Sequence, residues 1–195
     1  MPIDMPQQMQ ERIVCSISAA AKYEIPANIV LAVAEKEAGR PGQWVRNANG
    51  THDVGPLQFN TAYLAGLARF GITPADVAAA GCYPYDLASW RLRQHITKDR
   101  GDLWTRAANY HSRNPKFNGV YRADLIWRAA KWADWLMARY PAHDFALIGA
   151  APTPSSATRI YCGELVATPA PEQTRPTTWQ GATYVPRQLL VGGRP

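Results

Sequence analysis

The 195-residue sequence predicts an all-α, or nearly all-α, domain followed by an extended tail, and three observations carry that reading. Apolar residues recur at helical spacing through the first 141 positions. Capping residues, glycines and prolines fall where such helices would start and stop. Nothing in that region alternates with period two except a candidate hairpin at 47–54. Beyond Pro141 the stretches 151–158 and 168–178 are rich in Pro, Thr, Ala and Ser and offer no repeating apolar face. The expected organisation is a folded domain over 1–141 and a mostly extended Pro/Thr/Ala-rich tail over 142–195, with short strands near Tyr161 and over 184–191 left open.

Each helix has its own signals. The first is expected from Pro6 to Tyr23, with Met9, Ile13, Ile17, Ala20 and Ala21 on one face and Ile25-Pro26 breaking it. The second runs over Ala27–Ala38 and stops at Gly39, which suits the residue after a helix. Asn60 caps a third that holds Leu64 and Leu67 and closes at Gly71. A short turn follows Thr73-Pro74, with proline in the first helical position. Asp86 is expected to cap a fifth, with Leu92 and Ile96 on one side, and a sixth covers Leu103–His111. The longest runs from Tyr121 to Tyr140. Its stripe is Leu125, Ala129, Trp132, Ala133, Leu136, Met137 and Tyr140.

Composition bounds the function. Hydrophobic residues make up 47%, which supplies a core and excludes wholesale disorder. Only 18% are charged, and 21 Lys+Arg against 15 Asp+Glu leave a net charge of +6. That surplus suits an anionic polymer such as nucleic acid, a phospholipid surface or bacterial cell wall, and equally an ordinary solvated surface. The Lys and Arg are dispersed, whereas nucleic-acid binding needs them gathered on one face. No apolar run approaches the ~18 residues of a membrane span. Residues 1–8 show neither a basic nor an apolar leader region, so no signal peptide is visible.

One acid stands in an unfavourable place. Ile29, Val33 and Glu37 are related by i, i+4, i+8, so Glu37 continues an apolar stripe. It also lies in the last helical turn, where the dipole disfavours a carboxylate by a few tenths to ~1 kcal/mol. Desolvation and dipole both raise its pKa, which is how a glutamic acid becomes a proton donor near neutrality. The plain alternative is a glutamate bent into solvent at a frayed helix end. Glu35 lies ~200° round the helix and reads as a solvated surface charge, unable to pair with Glu37. The loop over 47–60 is dense in amides that suit sugar hydroxyl and acetamido groups, as ordinary polar loops also are.

Three segments in order carry a resemblance: Glu37 followed by Gly39, then Gly55-Pro56-Leu57-Gln58, then Ala107-Ala108-Asn109-Tyr110-His111-Ser112. They resemble the three motifs of the soluble-lytic-transglycosylase, goose-lysozyme-like catalytic domain. The nearest branch is the one associated with type IV secretion, conjugation and pilus systems. There a cysteine precedes a Tyr-x-Ile-Pro stretch, as Cys15 precedes Tyr23-Glu24-Ile25-Pro26, and a second follows a Gly-Ile stretch, as Cys82 follows Gly71-Ile72. The resemblance covers roughly 12–140. It departs from the pattern where the family's serine after the acid is Ala38, its asparagine after the tyrosine is His111, and Gly-Leu-Met-Gln reads Gly-Pro-Leu-Gln.

The resemblance implies a lysozyme-like fold and cleavage of the β-1,4 bond between N-acetylmuramic acid and N-acetylglucosamine in peptidoglycan. One glutamic acid, here Glu37, protonates the leaving oxygen and then deprotonates the muramoyl 6-hydroxyl, which closes a 1,6-anhydro ring. It further implies that Gly55, Leu57, Gln58, Tyr110 and His111 contact substrate, that Tyr110 turns its phenol towards Glu37, and that Cys15 and Cys82 are bridged. No cofactor is implied. A bridge indicates an oxidising compartment, periplasmic or at the cell wall, and a secretion or conjugation apparatus is an implied partner through the tail. Cys162 is left over, free or intermolecular.

A hydrolase would need a second carboxylate, and Asp53 is the one nearby candidate. Facing Glu37 it favours hydrolysis; capping a turn it leaves transglycosylation standing. His52, His95, His111 and His143 form no metal motif. Trp44 and Trp104 are candidates for stacking on a sugar, with core packing the more frequent use of tryptophan. Other readings are a muramidase acting on the same bond and a non-catalytic wall-binding scaffold, the latter favoured mildly by Ala38 and His111.

Overall fold

The computed structural model describes residues 6–140, so the tail, Cys162, His143 and the strands considered beyond Pro141 lie outside the described residues. Those described belong to one unit of the chain. In order they form α1 (Gln7–Lys22), α2 (Ala27–Glu37), β1 (Trp44–Arg46), β2 (His52–Val54), β3 (Phe59–Asn60) and α3 (Thr61–Leu67), which a 3-10 turn, Ala68–Phe70, extends. Then come α4 (Pro74–Ala78), α5 (Tyr83–Lys98), α6 (Leu103–Ala108) and α7 (Pro115–Met137). The protein is mainly helical, as the periodicity predicts. A hairpin forms near the expected 47–54 but starts earlier: β1 precedes residue 47 and pairs antiparallel with β2, Arg46 opposite His52, so residues 47–51 are its turn, and β3 adds a third strand through Val54 opposite Phe59.

The interior is built on α2. Every residue from Ala27 to Ala34 is buried, so this helix has no polar face over that stretch and packs against α7, α1 and α5. Its one buried amide, Asn28, donates to the Ala129 carbonyl at 3.2 Å, which locks α2 to α7. Cys15 of α1 and Cys82 before α5 form a disulfide across 67 positions, with Cα atoms 4.9 Å apart. Closing so long a loop stabilises by roughly 4 kcal/mol in the chain-entropy model.

Several boundaries differ from expectation, each for a local reason. Asp86 does not cap α5. The helix opens earlier, at Tyr83 with Pro84 in its first turn, and Asp86 instead accepts from Lys22 Nζ at 2.9 Å and the Tyr23 hydroxyl at 3.1 Å. α6 stops at Ala108 rather than His111. Beyond Ala108 the backbone tightens, with the Tyr110 and His111 N–H groups donating to the Ala107 and Ala108 carbonyls three residues back, and the Asn118 amide from α7 binds the Thr105 and Ser112 carbonyls and Asn109 Oδ1 across that turn. Residues Tyr110 and His111 therefore sit in a turn. α7 starts six residues before Tyr121 because Asn114 Oδ1 caps the Lys116 N–H at 3.0 Å and Pro115 takes the first helical position. Met137 and Tyr140, assigned to its apolar stripe, are about half exposed, since the core ends at Leu136.

Candidate functional site

The end of α2 is clamped by the loop that follows the sheet. Ala38, not Gly39, takes the left-handed conformation that closes the helix, at φ 49°. Gly39 is glycine for a different reason: a Cβ there would run into the carbonyl oxygen of Gly55 and lie 2.6 Å from Gln58 Nε2. Its N–H donates to the Pro56 carbonyl at 3.2 Å. Gln58, itself left-handed at φ 47°, folds its amide back to donate to the Gly55 carbonyl at 2.8 Å. Two strained non-glycine residues thus meet at one junction, the kind of arrangement that persists where surroundings fix a site. From the other side, the Tyr110 hydroxyl donates to the Leu57 carbonyl at 3.0 Å.

Glu37, the last residue of α2, opens into a groove of about 400 Å³ whose walls include His111, Tyr121, Lys36, Lys116, Phe117 and Val120. Its Oε1 accepts a hydrogen bond from the Tyr121 hydroxyl at 2.7 Å. Burial raises its pKa to about 7, opposed by the Tyr121 hydrogen bond and the positive charge of Arg91 and reinforced by the negative charge of Asp53. The acid is therefore divided between protonated and ionised forms near neutral pH. The Tyr121 ring is braced by the imidazole of His111, stacked almost parallel with ring centres 4.8 Å apart. His111 has its pKa lowered by partial burial of its ring and by the nearby Lys36.

The structure separates the sequence-predicted residues into two groups. Glu37 and His111 reach the groove. Gly55, Leu57 and Tyr110 are buried behind it, and Tyr110 is only 3% exposed. The phenol expected to turn from Tyr110 towards Glu37 is instead bound to Leu57, and the phenol on the acid belongs to Tyr121. Gln58 is partly exposed, but its amide is committed to Gly55. Glu35 is no solvated charge: Arg128 Nη1 and Trp132 Nε1 donate to it at 2.6 and 2.7 Å. Those partners lie two or more turns from Tyr121 along α7, at least ~10 Å, so the two acids remain apart as expected.

Asp53 sits in β2 rather than capping a turn, and its Oδ1 accepts from Asn60 Nδ2 at 2.8 Å. Trp104 is core, 5% exposed. Trp44 is half exposed on β1 with its ring edge against His52. Among the described residues no three His, Cys, Asp or Glu side chains gather to hold a metal. Two functional residues escaped the sequence reading. Tyr121 lies four and eight residues before Leu125 and Ala129, so it extends the buried stripe that was begun at Leu125. Arg91 lies between the rings of Tyr63 and Tyr110, 4.2 and 4.5 Å from their centres, and donates to the Tyr110 carbonyl at 2.7 Å. No protein-family model matches the chain, and no curated protein matches it significantly.

Proposed function

We propose that the protein is a peptidoglycan lytic transglycosylase with Glu37 as its single acid and base. The observation that carries this reading is a partly protonated carboxyl, held by a buried phenol and open to a groove of sugar dimensions. Glu37 gives its proton to the glycosidic oxygen as the C1–O4 bond between N-acetylmuramic acid and N-acetylglucosamine breaks. The resulting carboxylate removes the proton of the muramoyl 6-hydroxyl, whose oxygen bonds to C1 and closes the 1,6-anhydro ring. The acid ends protonated, as it began, and no water is consumed.

The geometry fits that sequence of proton transfers. A pKa near the working pH lets one group serve as donor and then acceptor. Tyr121 occupies Oε1 and leaves Oε2 for the substrate, while its O–H stabilises the carboxylate once formed. The disulfide suits action in an oxidising compartment, periplasmic or at the wall. No described helix is long and apolar enough to cross a membrane. Local opening of the wall for a secretion or conjugation apparatus, contacted through the tail, completes the proposal.

Hydrolysis by a muramidase is the second reading, and a specific observation favours it. The charge of Asp53 is felt by Glu37, and only one of its oxygens is bound by Asn60, which leaves the other for a water. Mass spectrometry of products from purified sacculi separates the two: transglycosylation predicts muramoyl ends one water lighter than hydrolysis does. Products carrying ordinary reducing muramoyl ends would overturn the transglycosylase reading.

A further inference from the structure

A second cavity, of about 420 Å³, adjoins the groove of Glu37, and His111 lines both. Its walls combine the rings of Tyr63 and Trp90, the amide of Gln94 and the guanidiniums of Arg91 and Arg113. The charges in this corner do not balance. Asp99 accepts from Arg113 Nη2 at 3.1 Å, from Asn109 Nδ2 at 2.8 Å, and lies 2.7 Å from His95 Nδ1, so one carboxylate answers one cation. Burial lowers the pKa of His95; the hydrogen bond and charge of Asp99 oppose this, and the charges of Arg91 and Arg113 add to it. Among the described residues Arg91 contacts no carboxylate: it meets a carbonyl and two ring faces, and its Nε is buried with no hydrogen-bond partner. Glu37, whose charge Arg91 also feels, is divided between protonated and ionised forms near neutral pH and so answers that guanidinium only in part. Arg113 binds Asp99 through Nε and Nη2, which leaves Nη1 for a ligand.

We propose that this cavity seats a carboxylate of the acidic peptide arm carried by the wall strand. The inference rests on the groove of Glu37 being the glycan site. A neutral sugar offers nothing to an unanswered guanidinium, whereas alternate sugars of the wall strand carry peptides with free carboxylates, and a guanidinium matches a carboxylate in shape and charge. The ring of Trp90 suits the apolar part of such a peptide, and Gln94 offers both a donor and an acceptor to its amides. His111 is the point at which an arm leaves the glycan groove.

The test uses the full chain and a muramoyl peptide, which has no glycosidic bond to be cut, compared by calorimetry with the same compound after amidation of its carboxylates. The acidic form is expected to bind about tenfold more tightly. Arg113→Gln and Gln94→Glu are each expected to erase that preference; the second leaves the Asp99 pair intact, so it separates ligand recognition from local structure. Equal binding of the two forms, absence of binding, or a preference that survives both variants overturns the proposal. No turnover is read, so a failure of Glu37 as the acid would show in product analysis and not here.

Discussion

Glu37 and Asp99 occupy equivalent places and behave oppositely. Each lies at the C-terminal end of a helix, Glu37 closing α2 and Asp99 following α5, where the helix dipole disfavours a negative charge. Yet burial carries Glu37 up to about 7, while Asp99 falls to about 2. Burial pushes Asp99 upward as well, but hydrogen bonds from Arg113, His95 and Asn109 outweigh it. Glu37 has one phenol. The comparison teaches that the number and charge of donors, not position on a helix, decide whether a carboxylate is a structural tie or an available acid.

Stability against pH should show the contrast with opposite signs. Between pH 4.5 and about 7 the folded chain keeps a proton on Glu37 that the unfolded chain has lost, so stability falls as pH rises through that window. Glu37→Gln removes the penalty and should raise stability at pH 8 by up to ~3 kcal/mol, with no gain below pH 4, as read from urea melts. Asp99→Asn should instead lower stability at pH 7 by about 1–2 kcal/mol, allowing for its partial exposure to solvent. Its ordinary value is 3.8, so the native contribution is present above that pH and is lost as pH falls through about 2.

Activity sharpens the same contrast less strongly. The proposed mechanism uses protonated Glu37 at its first step, so the rate of wall cleavage should decline above about pH 7, and a carboxyl-carbon NMR titration should place the midpoint there. Tyr121→Phe removes a bond that favours the carboxylate and should move the declining limb to higher pH. A limb unmoved by that substitution would mean that the phenol does not tune the acid.

Much of this was legible because it is periodic or punctuated. Ile29, Val33 and Glu37 share one face by simple spacing, and Asn60, Thr73-Pro74 and Gly71 mark ends that the structure keeps. What was missed depends on contacts between distant segments. Tyr110 is drawn to Leu57, 53 positions away, and Glu37 is met by Tyr121, 84 positions away, choices made by packing rather than by local pattern. The turn that follows α6 is bound by Asn118 of the next helix. Asn114-Pro115 was a readable start signal for α7 and went unused. Gly39 was recognised as special for the wrong reason, since only the neighbouring Gly55 loop reveals the close approach.

The most direct test is the clearing of purified sacculi by Glu37→Gln beside the wild type, with urea melts confirming that both are folded. Wild-type protein should lyse the wall and the variant should leave it turbid. Clearing by a folded Glu37→Gln protein at the wild-type rate would contradict the account.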